Sequence, residues 1–510
     1  MRASQLSIEC TPFDHLADAI RAACGASSDW TSPQLEYLQS YLCGDPRAKT
    51  LVIERPYVDR HYIEEYGAYY FSSLRNGGAT TTRIHLFSEA FDRARLGEWI
   101  RQATGNPEAQ RGIQNQLDRW YLGFMTIRPI PSAPIGRTIL LPYGDKPART
   151  YIPSEGGHPV HLMGLALTAR GLPFQQQDQA VGACATAALW SALWSALSRV
   201  TRNDGGRAPT PYAITQAATR HYLRDRALPA VSGLELAQLA AAVRELGYAP
   251  YVLRPSHEHA TFTLSLKCYL RSGIPAVLVL DTAGGEYHAV TASGYRLGDD
   301  EEPARDLRVA LSPQGPTLRS RGLSRLYVHD DRFGPYVRMQ LGPSEPRGEL
   351  VLERIGPTRS DPVRGAGGTI CYALFPLYPK LRLTARELIE LGLDMLPVVR
   401  GMLDAADRER LNAEVFFAQG GRYQGQLLTL GLEEPARVER FLSEIALSRY
   451  VGVVRFQLGD AALVDIVCDT TDIRRDHPPR GPVLAVLPFA GAHVEAYRRL
   501  LASAPWVQIV

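Results

Sequence analysis

Lysine is nearly missing from this 510-residue chain: Lys49, Lys146, Lys267 and Lys380 are all it has, and arginine carries the remaining positive charge. The simplest source of that bias is codon usage in a GC-rich genome. Neither sign of charge dominates. The 56 Lys and Arg residues against 53 Asp and Glu leave a formal +3, and no basic stripe interleaved with aromatics is present, which argues against a nucleic-acid partner. Apolar runs long enough to cross a bilayer are absent, so no membrane helix is expected. The opening MRASQLSIECTPFDHLADAIRAACG lacks a basic stretch followed by an apolar segment and a small-residue cleavage site, which leads to the expectation of a cytoplasmic protein. The seven cysteines, at 10, 24, 43, 184, 268, 371 and 468, are odd in number and never spaced as CxxC. Neither a disulfide framework nor a structural zinc site follows from that, and each is expected as a free thiol whose reactivity depends on its surroundings.

What the chain does contain is length for about three domains at roughly 150 residues each, with composition typical of a globular protein. Residues 1–165 mix helical patterns with β-branched runs such as KTLVIERPYV and are expected to form an N-terminal α/β domain. From 166 to 345 helical patterns precede strand patterns, IPAVLVLD, YHAVTASGY and RLYVHDD among them. Residues 346–370, rich in Gly and Pro, are expected as a linker, and 371–510 as a C-terminal α/β domain. The fold class expected for the whole is α+β: a central unit with a helical half before an antiparallel β half, flanked by two α/β or α+β domains.

A thiol nucleophile needs a setting that favours the thiolate, a base within reach, a group to orient the base, and donors for the oxyanion. The middle segment has a residue for each requirement. Cys184 follows AVGA and precedes ATAALWSALWSALSRV, a run of helix formers without a breaker, so it falls in the first turn of a helix where the macrodipole favours an anion. His288 enters a β-branched strand through Gly284 and Gly285. Asp330 ends the short strand RLYVHD, with Asp331 beside it as an alternative orienter. Gln175, Gln176, Gln177 and Gln179 precede the cysteine; Gln177 is taken as the amide donor for the oxyanion, joined by the backbone N–H of Cys184.

LPFQQQD, CATAALWSAL, SGLELAQLAAAVRELGY, LRSGIPAVLVLD, HAVTASGY and VHDDRFG, in this order over about a third of the chain, make the middle segment resemble the papain-fold cysteine peptidases. The resemblance is to their bacterial branch, which includes the bacteriocin-leader peptidases and their soluble relatives. It implies a papain-like fold for 166–345, with Cys184 as nucleophile, His288 as general base and Asp330 as its orienter. The chain departs from the family pattern at Ala185 and Thr186, where Gly-Pro is common. It departs again at Asp178, six residues before the cysteine, where the family has glutamine, and at Asp331, where the family has proline.

The expected function is therefore a cysteine peptidase cleaving a peptide or isopeptide bond in a polypeptide substrate, with no metal or organic cofactor. The flanking parts would select the substrate or a regulatory protein partner. Two alternatives stay open: a thiol acyltransferase of transglutaminase type, and an inactive peptidase-like binding module. Weaker signals are HEH at 257–259 and HPVH at 158–161 as metal ligands, and DTTD at 469–472, which reads as an Asx turn.

Overall fold

A computed structural model describes residues 6–71, 78–144, 149–151, 157–177, 184–194, 209–220, 233–255, 259–282, 285–297, 306–310, 312, 314–343, 348–355, 362–430, 435–471, 482–489 and 508–509. Among them helices and mostly antiparallel strands mix in an α+β arrangement built on three larger sheets.

The first sheet places strands Ser7–Pro12, Thr50–Tyr57, Thr81–Phe87, Tyr121–Ile127 and Ile135–Leu140 side by side in chain order, all antiparallel. Side chains alternate between its faces. Leu51, Ile53, Met125 and Ile127 join one buried cluster with helices Leu16–Cys24 and Pro33–Cys43, while Val52 and Phe124 join another with helices Arg93–Ala103 and Pro107–Trp120. The hairpin His158–Leu162/Leu165–Ala169 packs into this second cluster, so the expected boundary at residue 165 falls inside a hairpin that belongs with the first sheet.

The central sheet runs through strands Ala276–Asp281, Tyr287–Leu297, Leu323–Asp330, Gly334–Pro343, Leu350–Ile355 and Pro362–Leu377. The last of these also pairs with the first, closing the path into a ring, and Ala249–Leu253 and Arg149–Tyr151 add at its sides. The expected linker is thus corrected: 350–355 and 362–370 are strand. Its glycines serve close approach rather than flexibility. A Cβ on Gly367 would stand 2.2 Å from the Leu352 carbonyl oxygen, and one on Gly368 would stand 2.5 Å from that of Asp281.

Helices Cys184–Ala192, Pro211–Thr219 and Leu236–Glu245 bury their apolar sides together against Val277, Ala289 and Leu374 of the ring. The third sheet, Leu411–Gln419, Tyr450–Leu458, Ala461–Asp469, Val483–Pro488 and Gln508–Ile509, is antiparallel except for its last pair. Lys267 on helix His259–Arg271 ties it to the small hairpin of strands Asp306–Val309 and Leu318–Arg321: its Nζ lies 2.6 Å from Glu414 Oε1 and 2.6 Å from the Arg321 carbonyl oxygen. The largest buried cluster reaches from Leu16 to Val486 through all three sheets without interruption. None of the described helices is long and apolar enough to cross a membrane.

Candidate active site

Cys184 is the first residue of its helix. The side chains that follow explain why the helix is fixed: Leu189, Trp190 and Leu193 are fully enclosed, and Trp194 is buried between His61 and His158. Polar bonds then set its register on the ring. Thr291 of the strand bearing His288 donates to the Ala188 carbonyl at 2.7 Å, and Ser191 donates to the Pro173 carbonyl at 2.6 Å. Ser191 Oγ also lies 3.1 Å from His329 Nδ1. Against this rigid body, Cys184 itself is only partly buried. Gly182 and Gln179, which figured in the sequence reading of this approach, lie outside the described residues.

His288 is the second residue of Tyr287–Leu297, and Asp330 is the last of Leu323–Asp330, two strands that pair directly. His288 Nε2 stands 2.9 Å from Asp330 Oδ1, which leaves Nδ1 outside that bond, and the Cys184 side chain is near enough to favour the charged imidazole. Asp330 is 0% exposed, so its charge is sustained by its partners alone. Those are His288 and Arg332, whose Nε donates to Oδ1 at 3.1 Å, Nη2 to Oδ2 at 2.8 Å and backbone N to Oδ1 at 3.0 Å. Asp331 Oδ1 lies 3.5 Å from the same His288 nitrogen.

The electrostatics follow from this packing. Burial opposes a charge on His288, but the Asp330 carboxylate and its hydrogen bond, the contact with Cys184 and the charge of Asp331 outweigh it and raise the imidazole to about 10. For Asp330 burial again works against ionisation, and His288 and Arg332 hold the carboxyl well below its usual range. Asp331 moves the other way. Burial, with the Asp330 charge added and His288 only partly compensating, pushes it up to about 6. Arg332, its charge within reach of Cys184, is raised in spite of burial by the two aspartates.

The four residues singled out from the sequence divide three to one. Cys184, His288 and Asp330 come together from three elements. Gln177 is half-buried at a crevice of about 40 Å³ that it shares with Thr186 and Ala187 of the cysteine helix and with Tyr69, Tyr70 and Tyr212. The neighbouring glutamines are committed elsewhere: Gln175 Nε2 donates to Glu65 at 3.0 Å, and Gln176 Oε1 accepts from the Ile135 N–H at 3.2 Å. Between Asp330 and Asp331, the shorter bond falls to Asp330.

His288, Asp330 and Asp331 bring ligand-type atoms within 4.8 Å of one another, a grouping that resembles a metal site. The Arg332 guanidinium, however, already sits on both oxygens of Asp330, and a fixed cation there repels a second one. The other histidine motifs have ordinary partners. His158 Nε2 pairs with the Gly171 carbonyl at 3.1 Å, and His259 pairs with that of Gly348, while His257 and Glu258 lie outside the described residues. In DTTD, Asp469 Oδ1 accepts from the Thr471 N–H at 2.8 Å, the Asx turn expected there. Arg332, Ser191 and His329 were not visible as site residues in the sequence; the only signal for Arg332 is a cation directly after a pair of acids.

No protein-family model matches the chain, and no curated protein or solved structure does.

Proposed function

We propose that the chain is a papain-like cysteine peptidase of the cytoplasm, cleaving a peptide or isopeptide bond in a polypeptide through Cys184, His288 and Asp330. One observation carries the reading. A partly buried cysteine at a helix start, a buried histidine and a fully buried aspartate stand in thiol–imidazole–carboxylate order, with the histidine bonded to the aspartate and acted on by the cysteine side chain. Residues 166–345 hold the chemistry, and the N- and C-terminal parts select the polypeptide or a regulatory partner.

The chemistry runs in two halves. An imidazolium beside a sulfur favours the thiolate, and this thiolate adds to the scissile carbonyl carbon. The oxyanion that forms is met by the Cys184 backbone N–H. His288 gives its Nδ1 proton to the leaving amine as the C–N bond breaks, leaving a thioester on Cys184. The neutral imidazole then takes a proton from water, which adds to the thioester. Collapse releases the acid and restores the thiolate–imidazolium pair. Asp330 holds the ring and its charge throughout, as the third member of a triad does.

The test is a comparison of newly formed protein termini in cells expressing the full chain or its Cys184→Ala variant. Termini present only with the wild type support peptidase activity and name the substrate. Cross-linked or amine-modified products without new termini point to acyl transfer. No difference in either points to a binding module.

A further inference from the structure

Two adjacent carboxylates converge on one imidazole nitrogen, and only one is clamped. Asp330 Oδ1 stands 2.9 Å from His288 Nε2, and Asp331 Oδ1 stands 3.5 Å from it. Consecutive residues of a strand point to opposite faces. Here both reach the same group because the chain turns directly after Asp330, where the Phe333 N–H bonds back to the Asp330 carbonyl at 2.9 Å. Asp331 Oδ1 is buried and has no hydrogen-bond partner among the described residues, a condition that buried carboxylate oxygens rarely keep.

We propose that Arg332 is a positioning residue that assigns the base-orienting place to Asp330 and withholds it from Asp331. The inference rests on the peptidase reading and deepens it. A guanidinium is a planar fork matched to a carboxylate, and through Nε and Nη2 it grips both oxygens of Asp330. The fork is held in turn: Arg332 lies 5.5 Å from the Phe333 ring centre, and Arg354 covers that ring at 4.1 Å. Asp330 is thereby fixed in plane and kept ionised. Asp331, with no such donor, loses the competition for the imidazole N–H and is the carboxylate that burial drives toward its neutral form. Without the fork Asp330 keeps one backbone N–H and gains freedom to rotate. Asp331 then needs only a small movement to reach hydrogen-bonding distance.

The test is a mutant cycle on the full chain, read as the rate of Cys184 alkylation by iodoacetamide at neutral pH. With Arg332 present, Asp330→Asn is expected to slow the reaction by about 30-fold or more and Asp331→Asn to change it by less than about 3-fold. In the Arg332→Gln background the order reverses: Asp331→Asn costs about 10-fold and Asp330→Asn less than about 5-fold. A clamp that served stability alone would lower both rates without moving the dependence from one aspartate to the other. Should Arg332→Gln not fold, Arg332→Lys carries the same test, since lysine keeps the charge and lacks the fork. Asp331→Asn remaining within about 3-fold in both backgrounds overturns the inference and leaves the peptidase reading standing. A wild-type Cys184 that does not react overturns both.

Discussion

Ser191 Oγ of the cysteine helix lies 3.1 Å from His329 Nδ1, and both lie within 3.2 Å of the Pro173 carbonyl oxygen. His329 directly precedes Asp330, so this buried contact locks the Cys184 helix to the strand that ends in Asp330. Burial keeps His329 neutral, pulling it down to about 3. Ser191→Ala removes a bond from each of two buried groups that still face one another and is expected to cost about 0.5–1.5 kcal/mol, with alkylation of Cys184 slowed because the helix and strand lose their common register. Thr291→Val, which removes only the bond to Ala188, is expected to cost about 1 kcal/mol. Denaturant midpoints of the two variants check both figures; equal midpoints for Ser191→Ala and wild type contradict the lock.

The pH dependence follows from His288. Its folded-state value is raised, so the stabilising pair with Asp330 is fully present below the ordinary imidazole range and fades as pH rises toward about 10. Asp330, held low, keeps the same pair intact until acid reaches its depressed value. The thermal midpoint of the wild type is therefore expected to decline more steeply between pH 6.5 and 10 than that of Asp330→Asn. In peptidase assays the alkaline limb, where the proton for the leaving amine is lost, is expected near pH 10 and moves to lower pH in Asp330→Asn. Parallel profiles for the two proteins would contradict this. The groups acting on His288 are Asp330 through its charge and hydrogen bond, the Cys184 side chain through a hydrogen bond, and Asp331 through its charge.

The trio of Cys184, His288 and Asp330 was legible because each residue marks the end of an element: a cysteine after glycine and before an unbroken helical run, a histidine after two glycines, an aspartate closing a strand. Arg332 and Ser191 were not: the fork of Arg332 folds back on Asp330 only through the turn after the strand, Ser191 meets His329 only once distant segments pack, and LWSAL reads as core whichever way its serine points. The 346–370 segment misled for a related reason. Glycine read along the chain means freedom, yet Gly367 and Gly368 are there because neighbouring strands leave no room for a Cβ.

The Lys267–Glu414 pair gives a stability test independent of catalysis. Both groups are almost entirely enclosed, and Arg271 Nη1 reaches the second oxygen of Glu414 at 2.6 Å. Glu414→Gln leaves Lys267 buried beside a neutral group and is expected to cost roughly 3–5 kcal/mol. Replacing both members by apolar residues, Lys267→Met with Glu414→Leu, is expected to cost far less than the single change. A double variant as unstable as Glu414→Gln would show that the pair itself, and not the stranded charge, carries the stability.

The central claim is that Cys184 is a thiol activated by His288, and selective alkylation tests it most directly. Cys43 is exposed and serves as an internal reference on the same chain. With limiting iodoacetamide at neutral pH, site-by-site mass mapping is expected to find Cys184 modified about 10-fold faster than Cys43, with the preference abolished in His288→Ala. Modification of Cys43 ahead of Cys184, or a Cys184 rate untouched by His288→Ala, would contradict the account.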